Sequence, residues 1–270
     1  MTENNATFND AINLLKKSAE ARGYDIWIPS LKQDVKFKPL STLHHKKFVK
    51  ILMDTSMFNT ALNLHVYDII KQTCLDDTVN VDTLDIFDRI AICYAIRKHN
   101  FKKKYVISLD EKEDREISFT SLLAKFKKGY KRIEPESVTE GDVTINVSLP
   151  TLKREREFDN YIFNKHLQNF DKNNNEQLNQ IFADLMLFGT IQYIDSIQVG
   201  ETLINIDGMR TDQKVELLSA FDAILTTKIS AYIKKCNDQR AALCSIDVLN
   251  GKDEAQTVEI SIDSSFFIDE

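Results

Sequence analysis

Glycine, proline, cysteine and tryptophan are all scarce: the 270 residues hold 7, 4, 4 and 1 of them. With so few glycines the chain has no G-x-G-x-x-G and no G-x-x-x-x-G-K-[ST], and neither H-E-x-x-H nor G-x-S-x-G occurs. The commonest dinucleotide, phosphate-loop, zinc-protease and hydrolase signatures are therefore missing. Cys74, Cys93, Cys236 and Cys244 are scattered without a C-x-x-C pair, which argues against a zinc site. Cys93, in AICYAI, reads as a small core residue. No apolar run approaches the ~20 residues of a membrane helix. The opening MTENNATFNDAINLLKK lacks the basic and apolar regions of a secretory leader, so the chain is expected to be cytosolic when made. Cationic excess is lacking too. A net charge of −6 argues against bulk nucleic-acid or anionic-membrane binding.

What is there suits a folded chain. Hydrophobic content of 43% with 28% charged residues supports a real core in one or two domains. The spacing of Phe8, Ala11, Ile12, Leu15 and Ala19 predicts a first helix over Thr7 to Ala21, stopped by Gly23. IWIPSLKQDVKF then alternates as a β-hairpin, ending at Pro39, and Ser41 can cap the next helix. Helices are expected through Thr42 to Arg97. KKYVISL and ISF predict a hairpin around the charged tip DEKEDRE, followed by the helix SLLAKFKKGY. IEPESVTEGD reads as a loop and an internal boundary, before the strand VTINVSL.

The second half brings helices LKREREFDNYIFNKHLQ and EQLNQIFADLMLFG, the latter ended by Gly189, and a hairpin around Gly200-Glu201. One long helix, DQKVELLSAFDAILTTKISAYIKK, is expected to be capped by Thr211 or Asp212. QTVEISID and SSFFIDE close the chain as a strand with a Phe266–Phe267 tip. The expected class is α+β: helices with several short antiparallel hairpins, divided into units 1–134 and 135–270.

Candidate chemistry is thin. Asp171, Asn173 and Asn175 match the first ligands of a calcium loop, but Glu176 and Phe182 stand where the loop needs Gly and a bidentate Glu. His44 and His45 are adjacent and face different sides of a helix; His65, His99 and His166 stand alone. Asp85 and Asp88 read as capping or solvated charges. No catalytic, cofactor or metal residue is assigned, and no enzyme is expected. RKHNFKKKY and KFKKGYKR interleave cations with Phe101, Tyr105, Phe126 and Tyr130, a pattern that suits single-stranded nucleic acid. Basic helix ends answering the helix dipole suit it better, given the acidic total, and an acidic patch on a protein partner is a third reading.

IPSLKQDVKFKPLSTLHHKKF resembles the opening signature of the baseplate hub proteins of T-even-type (myovirus) contractile-tailed bacteriophages. The matching residues are Ile28, Pro29, Ser30, Leu31, Val35, Phe37, Lys38, Pro39, Leu40 and Lys46. LDIFDRIAICYAIR is similar to the family's helix with Phe87-Asp88 near its start and Arg97 near its end. The order hairpin, long helix and terminal Phe266-Phe267 strand is similar as well. Some members carry paired cysteines near the C-terminus; Cys236 and Cys244 are not so paired, and no metal is carried over. The helix Thr7 to Ala21 stands outside the resemblance.

The resemblance implies a structural or assembly role at the central hub of a phage tail baseplate, in the virion, through contacts with other baseplate or tail proteins. Several copies about an axis are expected. The candidate contact residues are Trp27, Lys102, Lys103, Lys104, Phe266 and Phe267. A transient assembly chaperone and a nucleic-acid-binding regulator are the alternatives.

Overall fold

The computed structural model describes residues 7–53, 59–110, 113–168, 170–171, 173–249 and 255–268. Among them the chain is α+β, as expected, with nine α-helices and ten short strands that all pair antiparallel. Part of the charged hairpin tip (111–112), the segment 54–58, Lys172 of the polar loop and the last two residues lie outside the described residues.

Helix α1 (Phe8–Ala21) starts at Thr7, whose hydroxyl and backbone trade hydrogen bonds with Asp10. Strands β1 (Tyr24–Ile28) and β2 (Gln33–Phe37) form the expected hairpin, with Ile26 opposite Val35 and Tyr24 opposite Phe37. Alternation places Ile26, Ile28, Val35 and Phe37 on one face, and all four are buried. Helix α2 (Thr42–Leu52) is capped by Ser41, as expected, with His44 completing the box. Helix α3 (Thr60–Thr73) follows. Helix α4 (Ile86–Asn100) is buried on nearly every side from Phe87 to Arg97 and carries the hairpin across its flank. A helix buried on nearly all sides belongs in the centre of a molecule, and α4 occupies it.

Strands β3 (Tyr105–Asp110) and β4 (Glu113–Ile117) pair, and α5 (Phe119–Gly129) returns along α4. IEPESVTEGD is not a loop. Its Glu136–Glu140 portion is strand β5, which pairs with β6 (Val143–Val147). Val138 and the cross-strand pair Thr139–Thr144 give it a ladder that its polar composition hid. Helix α6 (Leu152–Ile162) runs on through a π-helical turn, Phe163–Leu167, and α7 (Asn175–Ile191) continues two residues past Gly189. Strands β7 (Ile194–Val199) and β8 (Thr202–Asn205) complete a four-stranded sheet, β5-β6-β7-β8. Its two tight turns begin at Gly141 (φ 59°) and Gly200 (φ 57°), where the two-residue connection needs a left-handed backbone.

The expected long helix is two. Helix α8 (Thr211–Ser219) begins after Arg210, whose N–H donates to Gln213, and stops before Phe221. Helix α9 (Ala223–Cys244) restarts because the Asp222 carboxylate accepts from Leu225 N at 2.8 Å, which favours a new N-terminus over continuation. Strand β9 (Ser245–Leu249), absent from the sequence reading, pairs with β10 (Ala255–Glu259). The final segment is a 3₁₀ turn, Ser264–Phe267, not a strand.

One cluster of buried side chains draws on residues from Ile26 to Phe267. Leu152 N donates to Leu84 O at 2.7 Å, and Tyr94 OH donates to Ile260 O at 3.3 Å, so residues before and after 134 share that core.

Candidate functional site

The first two signature stretches meet at the N-terminus of α4. Ile28 and the buried Pro29 lead into the hairpin turn, where Lys32 takes a left-handed φ of 53°. This aims Ser30 at Asp88, 58 residues away. Ser30 N donates to Asp88 Oδ1 at 2.8 Å and Ser30 Oγ to Oδ2 at 2.6 Å. Oδ2 also accepts Asp85 N at 2.9 Å, while Asp85 Oδ1 accepts from the N–H groups of Phe87 and Asp88. Asp85 and Asp88 are caps, but neither is solvated: both are buried. Burial, then the neighbouring Asp88 charge, pushes the Asp85 carboxyl up to about 7. Burial also raises Asp88, against the hydrogen bonds from Ser30. Phe87 packs edge-on against Tyr130, and Trp27 meets the same ring at 6.4 Å.

The rest of the signature ties down the exit from the hairpin. Lys38 N donates to Thr73 O at 2.8 Å, Leu75 N to Lys36 O at 2.9 Å, and Leu40 N to Asn100 Oδ1 at 2.7 Å. Pro39, which has no N–H to give, sits between these anchored residues. Leu31, at the turn, is exposed.

Arg97, at the far end of α4, is buried. Its guanidinium donates to Ile268 O and to Lys103 O, each at 3.1 Å, and lies over the rings of Phe101 and Tyr105. It thereby fastens the chain end to α4. Phe266 and Phe267 leave the set of contact residues, because both are in the core. Asp263 caps the 3₁₀ turn through Ser265 N and Phe266 N, and the tight turn sends both rings inward where a strand would alternate them. Phe267 stacks on Phe48 at 4.4 Å; Phe266 packs among Tyr94, Tyr105 and Phe119.

The two basic stretches keep their lysines outside and their rings inside. Lys102, Lys103 and Lys104 are exposed, with Lys104 paired to Glu116. Phe101 and Phe126 are buried, and Tyr105 and Tyr130 half-buried, so the rings offer bases no open stacking face. Lys125 Nζ donates to Ser245 O and Lys127 lies over Trp27. Trp27 remains half-buried at the outer face of the hairpin.

A largely half-buried charge cluster has little mark in the sequence. Arg89 reaches Glu155 through Nε (3.1 Å) and Nη2 (3.2 Å), and Asn63 through Nη1 (3.1 Å); Asn63 in turn donates to Asp159. Burial, with the Glu155 charge added, lifts Asp159 to about 7. The one signal available was Arg89 directly before the apolar run Ile90–Ile96. Among the described residues no group of three or more His, Cys, Asp and Glu could hold a metal ion, and no helix is long and apolar enough to cross a membrane. Cys93 is fully buried in α4, and burial pushes its thiol up to about 12.

The arrangement joins hairpin, central helix and chain end without assembling a reactive centre from the signature residues. A sequence-family model described as T4 bacteriophage base plate protein matches residues 22–268. Neither the curated proteins nor the solved structures give a significant match. With nearly its whole length matched, the chain belongs to the T4 bacteriophage base plate protein family.

Proposed function

We propose that this baseplate component is a structural subunit of the central hub of a contractile tail, and that it works by protein–protein contact. The observation that carries the reading is where the signature residues spend their polar groups. Ser30, Asp88 and Arg97 all bond inward and fix the scaffold, while the outward surface shows large apolar side chains: Leu43 (63% exposed), Val49 (49%) and Met53 (78%) around α2, and Met186 (78%) on α7. Exposed apolar groups on a rigid frame are what a subunit presents to neighbours that will cover them. Trp27 and the Lys102–Lys104 run belong to the proposed contact surface, the first as an aromatic anchor and the second facing acidic neighbours.

Quantitative mass spectrometry of purified virions of the phage that encodes this chain tests the reading. A structural subunit is retained in the mature particle at a fixed small stoichiometry to the tail proteins. A chain present in assembling cells and missing from finished virions would be an assembly chaperone instead.

A further inference from the structure

Helix α1 stands outside the residues that match the family, 22–268, and none of its residues is buried. Phe8 is 80% exposed, Leu14 63% and Leu15 70%, while Phe8, Ala11, Ile12 and Leu15 follow the i, i+3, i+4, i+7 spacing of a helix made to lie in a groove. A 14-residue helix without tertiary burial is marginal in water, so this face calls for a cover. Its own chain cannot bring it elsewhere. Only Arg22 and Gly23 separate it from β1, and a Cβ at Gly23 would meet Lys36 Cε at 2.9 Å and Phe37 O at 3.0 Å, so the joint is packed.

The same chain carries a groove of about 660 Å³ between α2, α3 and the π-turn, with Ile51, Leu64 and Phe163 in its walls. Lys47 and Lys50 line one side and Asp68 the other. The 5%-exposed His65 also lines it. His65 Nε2 lies 3.2 Å from His44 O, to which it donates, leaving Nδ1 as an acceptor, and Nδ1 is buried without a hydrogen-bond partner. Burial lowers the His65 pKa, which favours this neutral ring.

We propose that α1 of one copy docks in the α2–α3 groove of a second copy. The charges match: Asp10 near the start of α1 suits Lys47 and Lys50, and Lys16 and Lys17 near its end suit Asp68. Area argues for the groove over pairing of two α1 helices. Their apolar faces would bury on the order of 400 Å² a side, about half of what a stable interface takes, whereas a groove also covers the helix flanks. Helix into groove is a heterologous contact, so each copy offers both halves.

Sedimentation velocity on the full chain, over roughly a hundredfold range of concentration, tests the proposal. The wild type should rise above its monomer mass of 31.1 kDa. Leu15→Glu, on the exposed face, and Leu64→Glu, in the groove, should each weaken association about 30-fold or more. Lys50→Glu serves as a second groove variant at the surface, with circular dichroism melting as the check on folding. Mixing the Leu15→Glu and Leu64→Glu chains should restore a 1:1 complex, because one intact helix and one intact groove remain. A wild type that stays monomeric throughout would overturn the proposal. So would association that survives both groove variants, or two folded variants that fail to complement. The outcome does not depend on where in the baseplate the protein sits.

Discussion

Ser30 and Asp88 show how a signature can be structural. One residue supplies two donors from a hairpin turn, and the other supplies two acceptors from the first turn of α4. Removing the hydroxyl by Ser30→Ala leaves a buried carboxylate one partner short, and should cost about 1–3 kcal/mol in chemical denaturation. Phe37, fully buried, should cost ~3–5 kcal/mol when cut to Ala; an unchanged melting temperature would put its ring outside the core. Asp85 makes a pH prediction. Its folded pKa, about 7, lies above the ordinary carboxylate value of 3.8. Its contribution is therefore fully present below the unfolded value and is lost as pH rises through the folded one. Asp85→Asn keeps a capping acceptor without the charge. The variant's stability should gain on the wild type's between about pH 4 and about pH 7, and a constant difference would contradict the assignment. At this scale the sequence was legible where a residue acts locally. Ser41 as a cap and Cys93 as core follow from neighbours a few positions away. The burial of Asp88 does not, since it depends on a turn 58 residues upstream.

Elements were read correctly where periodicity was clean and poorly where a polar residue decided a boundary. The alternation of IWIPSLKQDVKF gave the first hairpin, with its outer ends two residues off, at Tyr24 and Phe37. The break at Asp222 was missed because the apolar spacing runs on through it, and the side-chain cap that stops the helix leaves no mark on that spacing. Strand β5 was missed because three of its five residues, Glu136, Ser137 and Thr139, are exposed polar side chains. The terminal turn was taken for a strand because two adjacent Phe residues look like one; the capping carboxylate of Asp263 makes the difference. Arg97 holds that turn. Arg97→Gln should release it, costing about 1.5–3 kcal/mol for the lost charged hydrogen bonds and raising amide exchange at Phe266 to Ile268. Unaltered exchange there would mean that the aromatic packing alone retains the chain end.

For the whole molecule, one core draws on residues from both sides of position 134, and the division into units 1–134 and 135–270 stands as a proposal. Baseplate membership was legible chiefly through the short signatures, and a contact surface of the kind proposed has no fixed spacing of reactive groups to betray it. The same surface explains why two of the six anticipated contact residues, Phe266 and Phe267, turned inward: apolar character alone does not tell a core ring from an interface ring. The central claim is a hub position held by protein contacts. A density map of the mature baseplate, with this chain carrying a small fused marker, tests it directly. The account predicts marker density at the tail axis, with the α2 face and Trp27 against neighbouring subunits. Marker density at the baseplate periphery, or none in the mature particle, would contradict it.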